Sequence, residues 1–153
     1  MPLSGAGAAS AGGRFNRPGV EALYLSAEPE TALAEYRQGS SLPNPATLAA
    51  YQIQLTDVID LSAGYKPAQW SAQWAEWNCD WRWISRVNQK VPPSWKLGDE
   101  TIRSGARGLL FPATHLNGGT NLVVFGANLT KDDRIAVHDP ESMLPKDQRS
   151  WEP

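Results

Sequence analysis

The sequence predicts an α+β fold. Strand-like segments outnumber helical ones and do not alternate with them regularly, as a parallel α/β sheet would require. Three strand candidates crowd the second half: residues 108–114 (GLLFPAT), 120–126 (TNLVVFG) and 134–138 (RIAVH). A length of 153 residues suits one domain over 1–153, with enough chain to bury a real core.

The elements follow in chain order. Residues 1–13 are rich in Gly, Ala and Ser and lack a basic stretch followed by an apolar one, so they predict a flexible lead-in and no signal peptide. Residues 20–26 (VEALYLS) are short, apolar and partly alternating, which predicts a strand. Glu28, Pro29 and Glu30 then open a helix over 29–38, ending near Gly39, with Leu33 and Tyr36 on its buried side. Residues 49–61 alternate as one bent strand or two short ones. Trp70, Trp74, Trp77 and Trp81 have the spacing of one helical face, for which core packing is favoured over a partner surface or an aromatic-ligand wall. Residues 97–104 predict a short helix, and residues 139–153 a polar, Pro-bounded surface tail.

Composition removes several functions. A net charge of −2 argues against nucleic-acid binding, which calls for a basic face. The single Cys79 excludes an intrachain disulfide framework and is expected as a small apolar group within the tryptophan helix. No CxxC cluster suggests a metal, and no stretch approaches the roughly 20 apolar residues of a membrane span. Action in the cytoplasm is expected, with delivery as an exported effector the alternative.

Three dispersed groups carry the candidate chemistry. Gly12 and Gly13 precede Arg14, so the backbone can approach a ligand while the guanidinium grips a phosphate. Tyr24 lies near the end of the first strand, and Glu35 on the helix about ten residues on. That layout can gather a cation, a phenol and a carboxylate around one cleft. Each also has a plain structural alternative: a Gly-rich turn with a surface arginine, a core tyrosine, a solvated helix glutamate. His115 is a further candidate for the cleft, His138 a weaker one, and Asn121 is expected to steady the glycine turn at 118–119.

The segment GGRFNRPGVEALYLSAEPETALAEYRQ resembles the opening signature of the RES domain family, and YQIQLTDVIDLS, LGDETIRSGARGLLFPA and NLVVF follow in the family's order. The resemblance spans about residues 2–129. It implies a β-rich core with flanking helices, related to ADP-ribosyltransferase toxins. It also implies a toxin that cleaves the nicotinamide–ribose bond of NAD⁺, by hydrolysis or phosphorolysis, and is held by a cognate antitoxin or immunity protein. ADP-ribosyl transfer to a macromolecule, or NAD⁺ or partner binding without catalysis, are the alternatives.

By position Arg14, Tyr24 and Glu35 become the catalytic candidates, and Gly13, Asn16, Thr114 and His115 the substrate-binding ones. NAD⁺ is then substrate, with no separate cofactor and no metal. The tryptophan face and the tail are the expected antitoxin contacts. The sequence departs from the family in three ways. No segment matches an upstream strand ending in arginine; Ala113 stands where the family has serine after proline, leaving Thr114 or Ser104 as the nearby hydroxyls; and Phe15 replaces the usual tryptophan.

Overall fold

A computed structural model of the chain describes residues 5–38 and 46–144. Its centre is a four-stranded sheet in the order β1-β5-β4-β3, formed by β1 (Leu23–Ser26), β3 (Val58–Asp60), β4 (Gly108–Pro112) and β5 (Thr120–Val124). β5 runs antiparallel to both β1 and β4, and β3 lies parallel to β4. A separate antiparallel ribbon joins β2 (Ala50–Gln54) to β6 (Arg134–His138). The alternation at 49–61 therefore resolves into two short strands belonging to different sheets.

Register explains how this sheet makes both a core and a site. Tyr24, Val123 and Leu109 are direct neighbours across three strands, and Ser26, Asn121 and Phe111 form the next rung on the same face. The first rung is largely apolar; the second mixes an aromatic with two polar groups. Phe15 packs edge-on to Phe111 with ring centroids 4.9 Å apart, an aromatic pair contributing about 0.5–1.5 kcal/mol beyond area burial. Ala22, Leu61, Trp74, Leu97 and Phe125 complete the buried cluster.

The helix predicted over 97–104 begins earlier, as α4 (Pro93–Arg103), with proline at its first turn. Ser94, Leu97, Gly98 and Thr101 form its buried stripe. Gly98 sits so close to the chain at Phe15 that a Cβ there would overlap the Phe15 carbonyl oxygen. An ion pair between Arg17 and Asp99 ties the same two segments together nearer the surface.

Four expectations are corrected. Residues 6–11, expected as part of a flexible lead-in, form helix α1 (Ala6–Ala11), which ends at Gly12 with φ +76°. Residues 1–4 of that lead-in lie outside the described residues. Helix α2 (Pro29–Arg37) leaves Leu33 and Tyr36 47% and 46% exposed and buries Thr31 instead. It docks through polar contacts: Thr31 donates to Glu28 Oε2 at 2.7 Å, and the same oxygen accepts from the Thr120 amide at 3.1 Å.

The tryptophans do not share one helix. A 3-10 turn (Ala72–Glu76) carries Trp74, and a new helix, α3 (Trp81–Arg86), starts where Asp80 accepts the Trp83 amide at its N-terminus. Trp74 and Trp81 are nonetheless buried, Trp74 within the core cluster. Cys79 falls between these two elements and is only partly buried, its Sγ 3.4 Å from Ser94 Oγ. In the expected tail, Asp139 accepts from the amides of Met143 and Leu144, and residues 145–153 lie outside the described residues.

The contact at Gly98 is with backbone, which cannot swing aside. Gly98→Ala should destabilise the protein by about 3 kcal/mol or more, beyond ordinary overpacking, whereas Gly126→Ala, which meets no neighbouring atom within 4 Å, should be near neutral. Denaturant midpoints of the two variants check this, and equal midpoints would refute the packing argument.

Candidate functional site

The arginine loop is held by hydrogen bonds with α1, β1 and α4. The Phe15 amide donates to the Tyr24 hydroxyl at 2.8 Å, and that hydroxyl donates to Asn16 Oδ1 at 2.9 Å. Asn16 Nδ2 in turn donates to the carbonyls of Ala8 and Val20, at 2.9 and 2.8 Å. Trp95 Nε1 donates to the Gly13 carbonyl at 2.7 Å. A side chain at Gly13 is excluded, because its Cβ would lie 2.6 Å from the Tyr24 hydroxyl. Burial drives the Tyr24 pKa upward, so the phenol stays protonated as both donor and acceptor.

Arg14 emerges from this loop with Nη1 donating to the Cys79 carbonyl at 3.1 Å. Burial lowers its pKa, while the negative charge of Glu35 acts the other way. A guanidinium remains protonated through any such shift.

Glu35 is held on both oxygens. Oε1 accepts from the Thr114 amide at 2.9 Å, from Asn121 Nδ2 at 3.0 Å and, more loosely, from the His115 amide at 3.4 Å. Oε2 lies 2.8 Å from His115 Nδ1. An ionised carboxylate only accepts, so Nδ1 carries the proton in that contact. Ser26 Oγ donates to Asn121 Oδ1 at 2.7 Å, which turns the amide so that its NH₂ faces Glu35. Burial works to raise the Glu35 pKa, but the donors from His115, Asn121 and Thr114 outweigh it and hold the carboxyl below its usual 4.5.

Arg14 and Glu35 open onto the same cleft of about 940 Å³, near the upper end of the range for small-molecule sites. Gly13, Tyr24, Thr114, His115 and Asn121 also line it, with Trp81 and Arg82 from α3 and Tyr51 and Ile53 from β2. Asn16 does not. It is buried, and its amide is spent on the loop, so the expectation that it binds substrate is corrected to a scaffold role. Ala113 brings no hydroxyl; Thr114 supplies one at the cleft, 3.1 Å from His115 Nδ1, whereas Ser104 caps the end of α4 by donating to the Thr101 carbonyl.

Sequence reasoning missed the polar support beneath Glu35. Asn121 lies beneath the carboxylate, where a role in steadying the glycine turn was expected. Two signals were available. An asparagine inside the apolar run TNLVVF demands a buried partner, and Ser26 shares Tyr24's strand face by its spacing of two. Among the described residues no group of three or more His, Cys, Asp or Glu side chains has a metal-binding arrangement, and no helix is long and apolar enough to cross a membrane.

The RES domain family matches residues 1–147 of the chain. No curated protein matches it by sequence. Among solved structures, a chain of the M. tuberculosis MbcT–MbcA toxin–antitoxin complex is similar in fold, with a TM-score of 0.55 and 22% identity over 90% of this chain and 74% of that one.

Because the Glu35 pKa is depressed on folding, its contribution to stability is complete above about pH 4.5 and lost as pH falls through the lower, folded value. The stability difference between the wild type and Glu35→Gln should therefore be widest above pH 4.5 and shrink on acidification. Urea denaturation across pH 3–7 (roughly the carboxylate range) measures it, and a gap independent of pH would rule out the depressed carboxyl.

Proposed function

The chain belongs to the RES domain family, and from that premise we propose that it is a toxin domain that degrades NAD⁺ at the nicotinamide–ribose bond. The observation that carries this reading is the shared cleft: a cation at Arg14 and an ionised carboxylate at Glu35 face one dinucleotide-sized space. The toxin assignment draws support from the fold's likeness to a chain of a toxin–antitoxin complex. On the same ground a cognate antitoxin is the proposed partner, and the cytoplasm, where NAD⁺ is held, the proposed place of action.

The chemistry suits these groups. Breaking the bond between ribose C1′ and the pyridinium nitrogen sends the electron pair to that nitrogen, releasing neutral nicotinamide, so no general acid is needed. Positive charge develops on the ribose instead, as in other glycosyl transfers. Glu35, fixed by its donors and ionised at neutral pH, is the group to stabilise that charge and to orient a ribose hydroxyl or the acceptor. Water or phosphate then bonds C1′ and loses a proton, giving ADP-ribose or its phosphorylated counterpart.

Arg14 holds the pyrophosphate. The Tyr24 hydroxyl is already engaged by Phe15 and Asn16, so its ring, at the cleft wall, is the part left for the nicotinamide riboside. His115 and Thr114 flank the carboxylate and complete the ribose end.

Purified protein incubated with NAD⁺ should release nicotinamide, and parallel reactions with and without phosphate identify the acceptor from the second product. Glu35→Gln should lower turnover by about 10²–10³-fold, the usual effect of removing one preorganised electrostatic group. Turnover unchanged in that variant would reject Glu35 as the key carboxylate. A labelled macromolecule in place of free products would move the assignment to ADP-ribosyl transfer.

A further inference from the structure

A second guanidinium reaches the cleft. Arg82, one residue into α3, lines it together with Arg14. Its guanidinium carbon lies 4.7 Å from the centroid of the Trp81 ring, a stacking distance for a cation on an aromatic face. Trp81 is only 6% exposed, so the ring is a fixed platform.

The two arginines share one scaffold. Trp81 packs near Trp95, with centroids 6.5 Å apart, and Trp95 holds the Gly13 carbonyl next to Arg14. Arg14 itself donates to the carbonyl of Cys79, two residues before Trp81. The positive charge of Arg82 is also felt at Arg14. Among the described residues neither guanidinium forms an ion pair with a carboxylate. Two cations held within each other's field at a cleft, with no bridging acid, match a ligand that brings the negative charge itself.

We propose that Arg14 and Arg82 form a two-arginine clamp for a phosphate group of the ligand, with Arg82 a binding residue presented by its stack on Trp81. Identifying that ligand as NAD⁺ rests on the function proposed above; the clamp itself does not. The phosphate has two possible sources of the same chemistry, the pyrophosphate of the dinucleotide or a free phosphate acceptor.

Calorimetric titration of the whole chain with ADP-ribose, inorganic pyrophosphate and inorganic phosphate tests the clamp without turnover. Arg82→Ala should fold as the wild type does and weaken pyrophosphate or phosphate binding by about 10- to 100-fold, the range for a lost charged hydrogen bond. Arg86→Ala is the control: Arg86 also lies over Trp81, at 5.8 Å, but does not line the cleft, and its loss should leave binding unchanged. Raised KM for NAD⁺ in Arg82→Ala assigns the clamp to the dinucleotide, and raised KM for phosphate alone assigns it to the acceptor. Wild-type binding of pyrophosphate that Arg82→Ala loses, without NAD⁺ cleavage by either, would keep the clamp and discard the NAD⁺ reading. Equal binding by the wild type and Arg82→Ala, equal losses in Arg82→Ala and Arg86→Ala, or no binding of any of the three probes by the wild type would overturn the clamp.

Discussion

The Tyr24 hydroxyl accepts the Phe15 amide and donates to Asn16 Oδ1, closing the loop that bears Arg14 against the first strand. Two residues further along the same face of that strand, Ser26 orients Asn121, which holds Glu35. The spacing of two is the pleat of a strand, so one short segment sets the positions of both charged groups. Between them the chain needs only the tight exit into α2, where Glu28 binds Thr31 and the Thr120 amide and fixes the helix that carries Glu35. The geometry of the cleft thus reduces to the placement of β1 between its loop and its helix.

Those hydrogen bonds matter more for what their absence would cost than for what each adds. A typical bond contributes about 1 kcal/mol net, but an orphaned buried donor or acceptor costs about 1–3 kcal/mol. Asn16 illustrates the point: it is fully enclosed, and every polar atom of its side chain is engaged with the loop, with α1 or with Tyr24 on β1. Among the described residues no buried side-chain nitrogen or oxygen is left without a partner. The polar network is therefore complete, and such networks rigidify the groups they surround.

The fold class and most strands were legible because they rest on local pattern. Residues 108–112, 120–124 and 134–138 are apolar runs bounded by turn residues, and they pair as strands. The tryptophan segment misled because helical spacing does not reveal a break. Asp80, whose side chain caps a new helix after Cys79, was the available sign of one, and capping overrode the apparent stripe. Helix α2 misled in the opposite sense. Its apolar residues suggested a buried side, but the helix is held by contacts far apart in sequence, from Glu28 to Thr120 and from Glu35 to Asn121, which no local period encodes. At the site, Arg14 and Glu35 stood out as a pattern of types, while Asn121 and Arg82 required the register of β5 and the fold of α3 to be known.

A cation and a carboxylate in one cleft would ordinarily be expected to meet, since attraction between unit charges strengthens as water is excluded. Here each is held by its own part of the chain, Arg14 by the Cys79 carbonyl and Glu35 by Thr114, Asn121 and His115, and the two form no ion pair. Direct pairing would quench both charges. Separated, they present opposite potentials to one ligand: a positive end suited to a group that is already anionic, and a negative end suited to a centre that becomes cationic only as it reacts. In the proposed reaction the second feature is the catalytic one, because a carboxylate aimed at charge that develops later stabilises the transition state more than the ground state. On that proposal the donors around Glu35 serve the reaction as well as the structure. By holding the carboxylate ionised and away from Arg14, they leave its field open to a ligand in the cleft.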